Sequence, residues 1–455
     1  MLRASSRPVR RWRRYAMCAA AMVLAASCAT PVSEQDPGVG AASSGPEPKG
    51  EYPRTAVYYL DQDSLPPIDE LARYDLVVID HEWAQRAPQS FFRELDEADP
   101  APRLLAYVNL VDYPDALGSA EYWPGRYDLW QFSNSTSSSF PPQWLATTAS
   151  GQTVSEWPQT SLTNLTDVAP QVQGRIFAEY AAQWVVDQVW ATGVWDGIFL
   201  DVWGDRIYTA DRDRWDIDGD GIDETEDQIY GPDGPWARGL ARAEQIMRTQ
   251  MPEAILIANS NRILHRSPLN GRAWESFADP RADRDPKTDV QDYVTIASAG
   301  EQQPPGIYMT IDRQRGDPEA AERYRRARFF LTATLLQDGY WAPMGEHYGE
   351  LAYYDEMDGA GQGRGYLGRA VVENPSWEMM NQPYTAGIGT VAEGVYRRDF
   401  DNGMILVNLG IEAQSVTLGR TYRHLRGRQD PSVNTGELVD SVRIPAEDGL
   451  ILVFP

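Results

Sequence analysis

Trp195-Asp196-Gly197-Ile198-Phe199-Leu200-Asp201 is the stretch on which the reading of this chain turns. From Gly197 to Leu200 no side chain is polar, and acids stand at both ends. A short apolar run after a long amphipathic segment reads as a buried parallel strand. Asp201 then closes the strand at its C-terminal end. In a barrel of alternating strands and helices that end faces the active site. A carboxylate placed there is costly unless it binds something or does chemistry.

Similar runs lie on either side. Strands are expected at Ala56 to Leu60, Leu76 to Asp80, Leu104 to Asn109, Ile255 to Asn259, Ala273 to Phe277, Gly306 to Asp312 and Gly339 to Pro343. A helix is expected from Gln171 to Ala191, stopped by Gly193. Pro235 opens another, with Trp236, Leu240, Ala243 and Met247 in register, and a third runs from Asp317 to about Gln337. The pattern is α/β: a (β/α)8 TIM barrel over residues 51–384 with long loop insertions. The longest insertion, Val111 to Pro170, carries Trp123, Trp130, Trp144 and Trp157. From Thr385 strands alternate around turns such as Asp401-Asn402-Gly403. Residues 385–455 therefore read as a small antiparallel, sandwich-like β domain.

The chain of 455 residues is 42% hydrophobic, enough for a full core, and its formal net charge is -25. Such acidity argues against a nucleic acid or anionic lipid partner. The first 27 residues carry six arginines and no acid, then an apolar run ending in Ala25-Ala26-Ser27-Cys28. This looks like a lipoprotein signal peptide (1–27), with Cys28 lipidated and residues 28–50 a flexible tether. The apolar run is short for a membrane span. The lipid would be the only membrane attachment, placing a monomeric exported protein in the bacterial envelope, at the outer membrane or cell surface. The alternative is an ordinary secretory signal cut near Ala29. Both cysteines lie at or before position 28, so the mature chain has no disulfide.

Polar residues close seven of the strands: Asp61, Asp80 (followed by His81 and Glu82), Asn109, Asp201, Asn259, Glu275 and Asp312. Glycosidic bond cleavage needs two carboxyl groups flanking the bond, one to donate a proton and one to attack or to activate water. Asp201 is the expected nucleophile. Glu275, beside Trp274 and Phe277, is the expected acid/base, because apolar neighbours raise a carboxyl pKa. Asp80, His81, Asn109, Asn259 and Asp312 are expected substrate binders. Trp83, Trp203, Trp341 and Tyr354 are candidate sugar platforms, with Trp274, Asp355 and Glu356 as further expected substrate binders; for any single ring, a core position is the rival reading. Asp196, at the opposite rim, reads as structural. No Gly-x-Ser-x-Gly elbow and no mature cysteine beyond position 28 support a serine or cysteine hydrolase.

The segments WDGIFLD, NGRAWESF, LLQDGYWA and YYDEMDGAGQGRGYLG resemble a group of uncharacterised bacterial glycoside hydrolases, distantly related to the α-galactosidase-type barrels. The resemblance covers roughly residues 54–455. It implies a nucleophilic Asp after the fourth strand, matching Asp201, and an acid near the sixth, matching Glu275. Relatives of that type usually retain anomeric configuration.

Residues 216–227 fit a twelve-residue calcium loop: Asp216, Asp218, Asp220, the Ile222 carbonyl, Glu224 and Asp227, with Gly221 at the sharp turn. Asp227 departs from the longer Glu usual at the last position. A structural Ca2+ and no organic cofactor are expected. The sequence thus points to a glycoside hydrolase acting on an extracellular or cell-envelope polysaccharide or oligosaccharide through a carboxylate pair. The rival readings are a non-catalytic glycan-binding lipoprotein on the same scaffold and, behind it, a sugar transferase.

Overall fold

Gly197–Asp201 is a strand, paired in parallel with Arg103–Asn109 on one side and Ile255–Asn259 on the other. The computed structural model describes residues 51–61, 63–114, 140–231, 233–260, 262–282, 284–314, 317, 319–345 and 347–455. Cys28 and the segments before residue 51, with Trp123, Trp130 and Glu346, lie outside the described residues. Among the described residues no helix is long and apolar enough to cross a membrane.

Eight parallel strands form one sheet: β1 (Ala56–Tyr59), β2 (Leu76–Asp80), β3 (Arg103–Asn109), β4 (Gly197–Asp201), β5 (Ile255–Asn259), β6 (Gly271–Glu275), β7 (Ile307–Arg313) and β8 (Tyr340–Met344). They follow chain order around the sheet. A parallel bridge between Thr55 and Trp341, and the Trp341 N–H donated to the Arg54 carbonyl (3.1 Å), bring β8 back to β1. Next to that seam the chain's entry is clamped by its exit from the barrel. The Tyr52 N–H donates to Gly368 and the Leu367 N–H to Tyr52, both at 2.8 Å.

Period-two alternation sorts the side chains. Tyr58, Val78, Leu105, Tyr107, Phe199, Ile257, Ala273, Met309 and Ala342 pack inside the barrel. Their neighbours Val57, Val77, Ala106, Ile198, Leu200, Leu256 and Trp341 pack outward against the helices. Those helices include α1 (Gln89–Asp96), α2 (Phe177–Trp184), α3 (Pro235–Gln250), α4 (Pro286–Ala299) and α5 (Ala321–Thr334). At the lower rim Asp196 is structural as expected: its carboxylate accepts the Leu104 N–H at 2.9 Å.

Sequence boundaries hold within a residue for every barrel strand except β6, which runs two residues earlier than expected. It starts at Gly271, where a Cβ would stand 1.6 Å from the Ile307 carbonyl oxygen, so only glycine lets β6 lie there against β7. The helix expected from Gln171 begins at Phe177. Gln173 and Gly174 have φ of 53° and 80°, and a turn precedes the helix instead. Beyond Trp184 the helix widens into a π turn and then a 3-10 turn, and it stops at Gly193 in the left-handed region. The third expected helix starts at Ala321.

The C-terminal strands are β9 (Ile388–Ala392), β10 (Val395–Phe400), β11 (Gly403–Asn408), β12 (Gln414–His424), β13 (Leu438–Ile444) and β14 (Asp448–Val453). They make a single six-stranded antiparallel sheet, in the order β9-β10-β11-β14-β12-β13, rather than two facing sheets. The register between β12 and β13 shifts between Thr417 and Tyr422, at Gly419 (φ 77°). One face of the sheet closes on its own cluster of Val395, Leu406, Val416, Tyr422 and Leu452. The other face sends Tyr396, Ile405, Val407 and Ile451 into the barrel's outer core.

Candidate active site

Asp201 ends β4 and Glu275 ends β6. Each has the parity of an inward-facing neighbour, Phe199 and Ala273 respectively. Between them β5 ends in Asn259, whose amide donates to Asp201 Oδ1 at 2.9 Å. The Tyr107 hydroxyl, from the inner face of β3, donates to Asp201 Oδ2 at 2.5 Å. The Val202 N–H also donates to Oδ1, at 3.0 Å. These donors fix the orientation of the Asp201 carboxylate.

Glu275 is in a different environment. One side of it is open to the water of the cavity, while protein surrounds the rest. Burial, and then the negative charge of Asp201, push its pKa up to about 7; the Asn259 amide and Arg313 offset part of the rise. One carboxyl is therefore held by hydrogen bonds and the other keeps its proton near neutrality. This is the division of labour that acid-assisted bond cleavage needs.

Both carboxylates precede a strained residue. Val202 has φ 54° and Ser276 φ 53°, a region that side-chain-bearing residues enter at a cost of order 1–3 kcal/mol. Each strand turns sharply straight after its acid, which leaves the carboxyl at the rim. Around the pair lies a cavity of about 350 Å³ lined by Tyr58, Tyr107, Asn259, Arg272, Trp274 and Tyr348, and at its mouth by Trp157, Arg206 and Tyr208.

A barrel that brings two acids and an asparagine from three consecutive strand ends into one cavity narrows the choice of family. A model of hypothetical glycosyl hydrolase family 15 matches residues 97–404. The chain belongs to this family. It is an O-glycosyl hydrolase, and its substrate is a carbohydrate. Similar solved structures include the glycoside hydrolase domain of PelA from Pseudomonas aeruginosa, at 16% identity over 66% of this chain and 98% of that one, with a TM-score of 0.42. A GH27 β-L-arabinopyranosidase from Geobacillus stearothermophilus is 9% identical over 90% of this chain and 97% of its own, with a TM-score of 0.43. An Anoxybacillus α-amylase is 10% identical over 85% and 90%, with a TM-score of 0.40. No curated protein matches the chain significantly.

Within this glycosyl hydrolase, Asp201, Asn259 and Glu275 meet at the cavity. Trp274 touches its lining but has outward parity and is buried in the outer core, where its indole N–H donates to Asp292 at 3.2 Å, so it offers no open sugar platform. The other expected binders do not line it. Asp312 has outward parity and is buried, taking the Trp341 indole N–H at 2.6 Å and the Gln314 amide. Burial pushes its pKa up to about 7. Trp341 is core, as is Trp203, whose indole donates to Glu244 at 3.0 Å. Asp80 turns back to accept the Glu82 N–H at 3.0 Å. The His81 ring is buried against Trp184. Asn109 caps its own loop through Val111, Asp112 and the Asp112 carboxylate.

Tyr354, Asp355 and Glu356 are likewise structural. The Tyr354 hydroxyl accepts from Arg323 at 3.1 Å. Asp355 takes the backbone N–H groups of Arg428 and Gln429, and Glu356 the Asn434 amide, so both acids hold the C-terminal segment. Sequence reading overlooked Tyr58, Tyr107 and Tyr348 as cavity walls. Tyr107 was within reach, since it stands two residues before Asn109 on the inward parity of β3. Arg206 and Tyr208 sit on an irregular loop that gives no periodic signal.

In the acidic loop, ligand atoms of Asp216, Asp218 and Asp220 all lie within 4.8 Å of one another. Gly219 and Gly221 turn the chain at φ 81° and 87°. Glu224 instead accepts the Ile217 N–H at 3.0 Å, and Asp227 sits in the first turn of the short helix Glu226–Tyr230. The loop is stitched to the long insertion after β3. The Asp216 N–H donates to the Thr147 carbonyl (2.9 Å), the Asn164 amide to Ile217 (2.8 Å), and the Ala149 N–H to Asp223 (2.6 Å).

Proposed function

We propose that this glycosyl hydrolase cleaves its substrate with Asp201 as nucleophile and Glu275 as acid/base, retaining anomeric configuration. The observation that carries the reading is the contrast between the two carboxyls. Asp201 is fixed by Tyr107, Asn259 and the Val202 N–H, while Glu275 has its pKa raised beside it. Protonated Glu275 donates to the leaving oxygen as Asp201 attacks the anomeric carbon. The resulting carboxylate then takes a proton from the water that releases the sugar. The Asn259 amide reaches both acids, and retention is proposed from the resemblance to α-galactosidase-type barrels, whose members usually retain configuration. The substrate proposed is an extracellular or cell-envelope glycan, met by an exported chain anchored through lipid on Cys28.

Asp201→Asn and Glu275→Gln test this. Each should lower kcat/KM by about 10²–10⁴-fold on whichever glycoside the wild type cleaves, with folding unchanged by circular dichroism. Full activity in either variant removes that residue from the mechanism. A wild type that binds glycans and hydrolyses none across a broad panel supports the binding-protein alternative.

For the loop Asp216–Asp227 we propose a structural Ca2+, held by the three clustered aspartates and the Ile222 carbonyl. Without a cation those carboxylates repel one another. Calcium at one hundred times its Kd would stabilise the fold by about 2.7 kcal/mol. Chelation should therefore lower Tm, and calorimetric titration with calcium chloride should give one site; absence of heat and of any Tm change refutes it.

A further inference from the structure

We propose that Trp157 and Tyr208 form a subsite for a sugar ring at least one residue removed from the scissile bond, so that the substrate is a glycan chain rather than a simple glycoside. This rests on the active-site reading above. Among the described residues the exposed large aromatic side chains are Trp157 (44%), Tyr208 (55%), Tyr353 and Phe454. Two of these four line the cavity that holds Asp201 and Glu275. Single exposed apolar residues are ordinary, but two on the mouth of one polar cavity mark a binding surface.

The two rings come from different loops that are joined beside them. The Thr209 hydroxyl, next to Tyr208, donates to Glu156, next to Trp157, at 2.6 Å. Further along both loops, the Asp211 N–H donates to the Ser155 carbonyl and the Ser155 N–H to the Asp211 carboxylate, both at 2.8 Å. Exposure here is not looseness. The Trp157 carbonyl accepts the hydroxyls of Ser155 (2.6 Å) and Thr160 (2.9 Å). The Tyr208 hydroxyl donates to Asp205 at 2.9 Å, and the Arg206 guanidinium stands 5.5 Å from its ring centroid. The Tyr208 ring and the Trp157 backbone are positioned in advance while both rings are left in water, which lowers the ordering cost of whatever covers them.

The apolar C–H face of a pyranose matches an aromatic ring, and its rim of hydroxyls needs polar partners. Glu156, Arg206 and Thr209 supply these on the same wall. A flat hydrocarbon ligand would take water from those groups and offer them no hydrogen bond.

The test compares wild type, Trp157→Ala, Trp157→Phe and Tyr208→Ala. The probes are nitrophenyl monoglycosides and α- and β-linked oligosaccharides of glucose, galactose, N-acetylglucosamine and galacturonate, from disaccharide to hexasaccharide. Trp157→Ala should raise KM for the cleaved hexasaccharide roughly tenfold, about 1.4 kcal/mol. Its kcat, and its kcat/KM on the monoglycoside, should stay within about twofold; Trp157→Phe should recover most of the loss. Equal loss on both substrate types, or none on the hexasaccharide, overturns the subsite. If the wild type cleaves none of the probes, calorimetry on Asp201→Asn decides. Oligosaccharide binding that Trp157→Ala weakens supports the subsite, and no binding by any member overturns it. Failure of the catalytic reading is separate, appearing as full hydrolysis by Asp201→Asn whatever Trp157 does.

Discussion

At Glu275 proton affinity follows from place. The folded protein holds a proton there up to about pH 7, through burial first and the Asp201 charge second, where an ordinary glutamate releases it near 4.5. In the acid role proposed for it the residue works only while protonated. The pH profile of kcat/KM should therefore show a basic limb with an apparent pKa near 7, falling tenfold per pH unit above it. Stability has the same sign. Between 4.5 and 7 the native state binds a proton that the unfolded chain has lost, so stability declines as pH rises through that window. Glu275→Gln should remove its share of this decline and leave that of Asp312, seen as a flatter Tm against pH; an unchanged slope would assign the whole decline elsewhere. The place of this carboxyl was legible only in part: the sequence put Glu275 inside a run expected at Ala273 to Phe277, and in the structure it closes the strand. Its pKa was not legible, since that depends on Asp201 reaching the same cavity from two strands away.

Parity is what the sequence conveyed best about the elements and what misled it when left unused. Strand existence and order were readable from apolar runs. Which polar strand end faced the cavity depended on alternation counted from the right residue. Asp312 and Trp341 fail that count, as they follow Ile311 and precede Ala342, both of which face inward. The loops carried no such rule, and the platform residues were sought among tryptophans that the core had already taken. Gly197 shows how tightly the elements are placed. A Cβ there would lie 2.0 Å from the Ile255 carbonyl oxygen, backbone that cannot swing aside. Gly197→Ala should push β4 from β5 and cost about 1–3 kcal/mol in urea unfolding, with Asp201 and Asn259 displaced and activity lowered. An unchanged midpoint would mean the two strands can part freely.

For the whole molecule, the C-terminal sheet belongs to the enzyme's core rather than to an appendage. Arg328 on α5 is buried and donates to Asp430 (2.6 Å) and Asp448 (3.2 Å), both also buried, across the seam between barrel and sheet. Arg328→Ala strands two carboxylates without their cation. It should cost about 3–5 kcal/mol, while Arg328→Lys, which keeps one charge and loses the fork, falls between. Denaturant titration measures both; equal stability of all three proteins would show that water reaches the seam. The sequence showed that a second, β-rich segment existed. It could not show that one face of that sheet completes the barrel's core, because the contacts join residues more than a hundred positions apart.

The clamp of Tyr52 on Leu367 and Gly368, beside the seam where Arg54 meets Trp341, also sets a timetable. A ribosome delivers β1 first and its last neighbour nearly three hundred residues later. At about 5–20 residues per second that wait is on the order of 15–60 s. Throughout it the growing sheet has an open edge, the kind of surface on which chains stick to one another. The molecule reaches its closed form only when almost all of it has been made, so the cell's handling of the unfinished chain governs how much enzyme it obtains.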